Sequence, residues 1–176
     1  MLNIKSVIIA SVAVLVGVLP GSASAYFTTS QNAVALSQNV FLYTVSYDFG
    51  LKKYDLEMPM LALPQSALTD DSFAVGYKTV DSEDEIAKVG KSMGIVLSDA
   101  KLINGVYMVP KGTAASFTLV MLVQATDAEL ANYSAEQNLA MQVTSLPFVM
   151  KGDGITIKAS LNPSELKYYK TPELDI

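Results

Sequence analysis

The side chains that most often carry enzymatic chemistry are scarce in this sequence. It contains no Cys and no His. Their absence removes thiol nucleophiles, Ser-His and Cys-His pairs, and nearly all zinc chemistry. Catalysis would be left to a carboxylate pair, a Ser-Lys dyad or a Tyr, and isolated positions identify none of these. We therefore predict that the chain is not an enzyme and that it has no cofactor and no metal site.

An acidic run is the densest group of oxygen ligands. It extends from Asp81 to Glu85, with Asp70 and Asp71 upstream. Carboxylate oxygens suit Ca²⁺, but this spacing does not fit an EF-hand loop, and such a run is typical of a solvated surface. The net charge is −5 and every basic residue is Lys. Without a basic patch or Arg side chains to bind phosphates, a nucleic-acid partner is not expected.

The N-terminus has the pattern of an export signal. Lys5 precedes an uncharged apolar run from Val7 to Leu19, and Ala23 and Ala25 are small residues suited to a signal peptidase. A membrane-spanning helix needs roughly 20 apolar residues, so this run is too short to serve as an anchor. We predict cleavage before Tyr26, a secreted or cell-surface location, and no stable membrane span after cleavage.

A period of two dominates the rest of the chain and predicts β-strands with one buried face. From Val40 to Phe49 every odd position is apolar, and Ser116 to Gln124 repeats the pattern. Alternation also predicts half-exposed strands from Leu139 to Val143 and from Ile155 to Leu161. Weaker strands are predicted at Leu56 to Ala62, Phe73 to Lys78 and Met93 to Ser98.

Turn residues separate these strands. Asn104-Gly105 predicts a type I′ hairpin, and Lys151-Gly152-Asp153-Gly154 predicts another reversal. Two short segments, Asp81 to Val89 and Asp127 to Tyr133, are predicted to be helical or irregular and are too short for a βαβ crossover. The prediction is all-β: a single immunoglobulin-like or jelly-roll-like antiparallel β-sandwich, with a barrel as the alternative. We assign residues 1–25 to a signal peptide, 26–37 to an extended segment and 38–176 to the sandwich.

The junction Ala25-Tyr26-Phe27-Thr28 resembles the junction of exported proteins processed by the SipW-type signal peptidase, which include TasA-like biofilm fibre subunits and camelysins. The resemblance covers these few residues only. It implies an extracellular β-sandwich subunit that assembles into matrix fibres by lending an N-terminal strand to its neighbour. The metalloprotease activity attributed to camelysins is not carried over, because the chain has no His to hold zinc.

The candidate donor strand extends from Tyr26 to Leu36, with Phe27, Val34 and Leu36 as the side chains that would dock in a neighbour. A flexible terminus is the alternative interpretation. We predict an exported, non-catalytic structural or adhesive subunit of the cell surface or matrix, which associates with itself or with other surface or matrix proteins. The alternative is a soluble extracellular module that binds a ligand or carbohydrate, although the chain has no Trp to stack on sugars.

Overall fold

The fold consists almost entirely of β-strands. In a computed structural model, the structure describes residues 7–9, 18–19, 23–24, 29–81, 83, 86–87, 89–131, 138–161, 166 and 169–175. This part of the chain contains one short α-helix, α1 (Asp127–Leu130), and a 3₁₀ turn at Gln65–Ala67. The strands are β1 (Val7–Ile9), β2 (Val18–Leu19), β3 (Ala23–Ser24), β4 (Thr29–Ser37), β5 (Val40–Phe49), β6 (Asp55–Pro59), β7 (Leu61–Pro64), β8 (Val75–Val80), β9 (Lys91–Ser98), β10 (Lys101–Ile103), β11 (Val106–Val109), β12 (Ala115–Gln124), β13 (Asn138–Gly152), β14 (Ile155–Leu161) and β15 (Leu174–Asp175).

Alternating side chains build the two adjacent strands β5 and β12. Every odd-numbered side chain of β5 is buried, and every even-numbered one is only partly covered. The odd-numbered side chains of β12 are buried in the same way. Because successive side chains of a strand point to opposite faces, one apolar face of each strand can enter the core. The predicted strands and their predicted faces are confirmed here.

The hydrogen-bonded strand order is β1-β4-β5-β12-β9-β7-β8-β13-β6-β11-β10, and β14 and β15 also pair with β13. β2 and β3 pair with each other. The first part of β13 pairs with β8, whereas its last part pairs with β6 and β14. Among the described strands, β7 and β8 form the one parallel pair. The sheet is otherwise antiparallel, as the hairpin signals predicted.

Aromatic contacts show how the sheet folds over on itself. Phe49 of β5 meets Phe148 of β13 edge to face, with ring centroids 5.1 Å apart, although these strands are not hydrogen-bonded to each other. Tyr107 of β11 contacts Phe117 of β12 in a similar edge-on geometry at 6.0 Å. The strands around β5 and β12 thus form one layer and those around β13 form the other. The chain has the predicted all-β, sandwich-like fold with one hydrophobic core.

Two local predictions have different outcomes. Asn104 and Gly105 have φ angles of +50° and +79° and connect β10 to β11, which confirms the predicted hairpin. The segment from Asp81 to Val89, predicted to be helical or irregular, lies partly outside the described residues. Within its described part, Ile86 forms an antiparallel bridge with Val80 rather than a helical turn.

The second helical segment is confirmed as α1. Thr126 and Glu129 form a capping box at its start: the Thr126 side chain accepts from the Glu129 N–H, and the Glu129 carboxylate accepts from the Thr126 N–H. This pair satisfies N–H groups that a helix start leaves without partners.

β14 is more exposed than its alternating pattern suggests. Ile155 and Ile157 are 52% and 41% exposed, and Leu161 is buried. β14 lies beside β13 at the side of the layer, and Ile155 and Ile157 extend past the core, whereas Leu161 lies over it. Alternation in the sequence identified the strand, but it did not show how far the core extends beneath it.

Candidate functional site

The predicted donor segment forms β4, which lies near one end of the strand order. β4 pairs with β5 from Thr29, opposite Tyr47, to Ser37, opposite Val40. Residues 29–37 therefore belong to the sheet and are not a separate extended arm. Ala23 lies in β3. Ala25, Tyr26 and Phe27, the other residues predicted for signal cleavage and strand donation, lie outside the described residues.

The side chains of β4 divide between the core and the surface. Ala33 is 1% exposed and belongs to the hydrophobic core. Val34 lies opposite Leu42 and is half-buried on the other face, and Leu36 is 51% exposed at a register shift between Ala35 and Ser37. Val34 and Leu36 thus face away from the core. Ala35 also packs against the core but is only partly buried. β4 is attached mainly by its backbone ladder, because each buried Ala methyl group contributes only about 0.8 kcal/mol.

The outer edge of β4 is paired with β1. Val7 lies opposite Ala33 and Ile9 lies opposite Gln31 in an antiparallel register. β1 comes from the apolar run that the sequence predicts to be the signal peptide. Loss of that segment would leave the outer N–H and C=O groups of β4 without β1 as their partner, and an edge strand with open ladder positions can pair with another chain.

The turn between β4 and β5 is attached to the start of α1. Asn39 accepts a backbone hydrogen bond from Ala125 at 2.9 Å, and its side-chain amide donates to Asp127 at 2.5 Å. Hydrogen bonds from Thr126 lower the pKa of the Glu129 carboxyl group, which helps to keep the capping carboxylate ionised. The turn that connects β4 to β5 is therefore held in place by specific polar contacts with the residues at the start of α1.

A cavity of about 550 Å³ lies beside β8, β9 and the turn after β7, away from β4 in the strand order. Tyr77, Ser92 and Ile86 line it, together with Gln65 and Lys78. The Tyr77 hydroxyl has almost no exposed surface, and Ser92 is the polar side chain beside it. Burial raises the pKa of Tyr77, and the hydrogen bond with the neighbouring Ser92 side chain opposes this shift. The cavity combines apolar residues such as Ile86 with polar side chains such as Gln65, the usual character of a small-molecule site.

The acidic side chains of the described residues do not form a metal site: no group of three or more of them is arranged to hold a metal ion. Asp81 of the acidic run accepts a hydrogen bond from the Glu83 backbone at 3.0 Å, as in a local turn. No helix within these residues has the length and apolar character needed to cross a membrane.

The sequence analysis did not predict that β4 pairs with β5 of the same chain. Thr29 to Ser37 is polar and uncharged, with small residues in place of a clear alternation. The connecting residues Gln38-Asn39 are not one of the dipeptides that mark a two-residue hairpin, so no sequence signal indicated this pairing. The cavity had no sequence signal, because its walls come from β8, β9 and the turn after β7.

In comparisons with known proteins, no protein-family model and no curated protein matches this chain. The fold and the site define an all-β, sandwich-like protein in which β4 lies near one end of the large sheet.

Proposed function

We propose that this chain is an exported, non-catalytic structural or adhesive subunit of the cell surface or extracellular matrix, and that copies assemble by exchanging β4. The observation that carries the proposal is the position of β4: it follows the predicted signal peptide, lies near one end of the sheet and places only Ala33 fully in the core. The resemblance of the Ala25-Tyr26-Phe27 junction to exported fibre subunits supports the same function.

Signal cleavage would control the first step. Before cleavage, β1 covers the outer edge of β4. Cleavage before Tyr26 removes β1 and leaves β4 as an edge strand joined to its domain by the β5 ladder and the Gln38-Asn39 turn. A strand held mainly by backbone hydrogen bonds can leave and re-form the same ladder with a second copy, because the two ladders are chemically identical.

Exchange would keep the register seen within one chain. Ala33 of one copy would lie opposite Tyr43 of the next, with its methyl group in the same core position. Each copy would lend one strand and accept one, so the contact is head to tail and propagates into a fibre when it does not close into a ring. Partners are thus other copies of the chain, or matrix proteins with a similar strand.

A complementation experiment tests the exchange directly. A chain of residues 38–176 lacks β4, and a synthetic peptide of residues 26–37 supplies it. We expect the peptide to raise the melting temperature of the shortened chain and to inhibit fibre growth of the intact mature chain. A peptide with Ala33→Asp should fail in both assays, because its carboxylate would be buried without a partner. A peptide with Leu36→Asp is the matched control, since Leu36 is exposed.

The peptide assay also defines failure. Equal activity of the Ala33→Asp and Leu36→Asp peptides would contradict docking in the observed register. An intact chain whose fibre growth is unaffected by excess peptide would contradict strand exchange as the mode of assembly.

A ligand-binding module is the second candidate function, and the cavity beside Tyr77 favours it. A ligand with an apolar body and one polar group would fill the cavity, with its polar group beside Gln65, Lys78 or Ser92. A thermal-shift screen of small sugars, amphiphiles and peptides tests this function. Stabilisation that is lost in Ser92→Leu, which fills the cavity, would support it, and a screen without any stabilising compound would count against it.

A further inference from the structure

The outward face of the layer formed by β5, β12, β9 and β7 is apolar over several strands. Leu122 of β12 lies between Leu42 of β5 and Met93 of β9. Two residues along β12, Val120 lies opposite Ile95. Residues directly opposite each other on paired strands share a face and touch. We call this surface the outer patch, and its residues are Leu42, Leu61, Met93, Ile95, Val120 and Leu122.

The outer patch is well exposed. Met93 is 71% exposed, Leu61 is 49% exposed and Ile95 is 41% exposed. Single apolar residues on a surface are ordinary, but a contiguous apolar area marks an interaction site. Leu42, Val120 and Leu122, on the neighbouring strands, are partly exposed. This surface is therefore suited to contact another molecule.

The polar groups beside the outer patch are already paired within the chain. Ser46 and Thr118 share a hydrogen bond of 2.8 Å, and the Ser116 hydroxyl donates to Asp48 at 2.5 Å. Removing water from a polar group costs free energy chiefly when the group loses its partner. A contact made over the outer patch would leave these pairs intact.

Charges of opposite sign mark the two ends of the outer patch. Lys91 lies opposite Gln124 beyond Leu122. At the other end, Asp48 lies opposite Ser116, whose backbone N–H donates to Asp99 at 2.9 Å. Two copies stacked with antiparallel strands would place Lys91 of each copy near the carboxylates of the other. Glu129, the acidic neighbour of Lys91, is engaged in its capping box.

The overall charge favours the same surface. At a net charge of −5, two copies repel each other when they meet through acidic regions. The outer patch is uncharged between its two ends, so copies can approach there with little repulsion. With strands spaced about 4.8 Å apart and a rise of about 3.4 Å per residue, β5, β12 and β9 form a face of roughly 14 by 27 Å, and the short strand β7 adds little to it. Two such faces bury on the order of 900 Å², the size of a weak, reversible contact.

We propose that the outer patch is a two-fold interface between two copies of this chain, which pack sheet on sheet with their strands antiparallel. This pairing is independent of β4 exchange, because it uses the face of the layer and exchange uses its edge. Together the two contacts would join fibres side by side. Val34 belongs to β4 and lies beside Leu42 of the outer patch. A substitution of Val34 would therefore affect both the exchange of β4 and the two-fold interface.

A matched pair of variants tests the interface by analytical ultracentrifugation of the full chain. Ile95→Lys places a charge at the centre of the outer patch. Ile157→Lys is its control, because Ile157 is also 41% exposed but lies on β14 in the other layer. We expect the wild type and Ile157→Lys to dimerise alike and Ile95→Lys to dimerise at least about tenfold more weakly, as for loss of a central contact residue. A monomeric wild type, or equal dimerisation of the two variants, would overturn the proposal.

Two further variants test the orientation of the copies. Lys91→Asp should weaken the dimer, and adding Asp99→Lys should restore part of it, because the new carboxylate at one end of each copy then meets a new ammonium group at the other end of its partner. Failure of the second change to restore the dimer would overturn the antiparallel arrangement.

Cross-linking gives a measurement that does not depend on altered charge. The chain has no native Cys, so Val120→Cys introduces a single thiol near the centre of the outer patch. We expect it to form an intermolecular disulfide under mild oxidation much faster than Ile157→Cys. Equal rates in the two variants would contradict the interface.

Discussion

Leu119 of β12 lies opposite Val45 of β5, and neither side chain has any exposed surface. Leu119→Asp would bury a carboxylate among apolar neighbours that offer it no hydrogen bond. We expect a loss of more than about 3 kcal/mol in the free energy of unfolding, enough to leave much of the chain unfolded. Lys158→Asp, on the exposed face of β14, should change it by less than about 0.5 kcal/mol. Urea unfolding measures both, and similar losses in the two variants would contradict the assigned faces.

The core tyrosines make stability depend on pH in the alkaline range. Burial raises the pKa of Tyr43, Tyr47 and Tyr169, and for Tyr47 the neighbouring Tyr169 adds to the effect. Below about pH 10 these hydroxyl groups stay protonated in both the folded and the unfolded chain. Above that pH only the unfolded chain releases their protons, so the free energy of unfolding should fall, by up to about 1.4 kcal/mol per pH unit for each group.

Urea unfolding at several pH values between 8 and 12 measures this fall. Tyr47→Phe is the control. The Tyr47 hydroxyl has no hydrogen-bond partner among the described residues, so stability at neutral pH should be kept while the alkaline slope decreases by about one proton. An unchanged slope in Tyr47→Phe would show that its hydroxyl titrates in the folded chain as it does in the unfolded one.

Processing of the N-terminus is open to mass spectrometry of the exported protein. Ala23 and Ala25 provide the small side chains that a signal peptidase accepts, so we expect the first residue of the exported chain to be Tyr26. Ala25→Phe should block this cleavage, whereas Ser24→Phe should be better tolerated. An exported chain that still begins at Met1 would mean that the apolar run is retained, and β1 would then remain on the edge of β4.

Sequence patterns anticipated the centre of the fold better than its margins. The alternation in β5 and β12 identified both strands and their buried faces, because both strands cross the whole core with one face toward solvent. Asn104-Gly105 identified its hairpin, since few other dipeptides adopt two positive φ angles easily. These features are set by local geometry and by one-sided burial, which a sequence records directly.

The margins of the fold depend on contacts between segments that are far apart in the sequence, and such contacts leave no local pattern from which they could be predicted. β6 and β7 were predicted as one strand from Leu56 to Ala62. The structure separates them at Met60, whose N–H donates to Gly105 and whose C=O accepts from Val96. The parallel pairing of β7 with β8 also depends on contacts between distant segments, and the sequence did not predict it. The outer patch was not predicted either, because its strands come together only in the folded sheet.

Negative-stain electron microscopy of the mature chain, with and without residues 26–36, tests the proposed function most directly. We expect the chain that begins at Tyr26 to form fibres, and the chain that lacks residues 26–36 to form none, because it has no β4 to lend. Pairing through the outer patch should persist in the shortened chain, so dimers there do not count as assembly by strand exchange. Fibres of both chains, or a mature chain that stays monomeric or dimeric at high concentration, in mild acid and after prolonged incubation, would contradict assembly through β4.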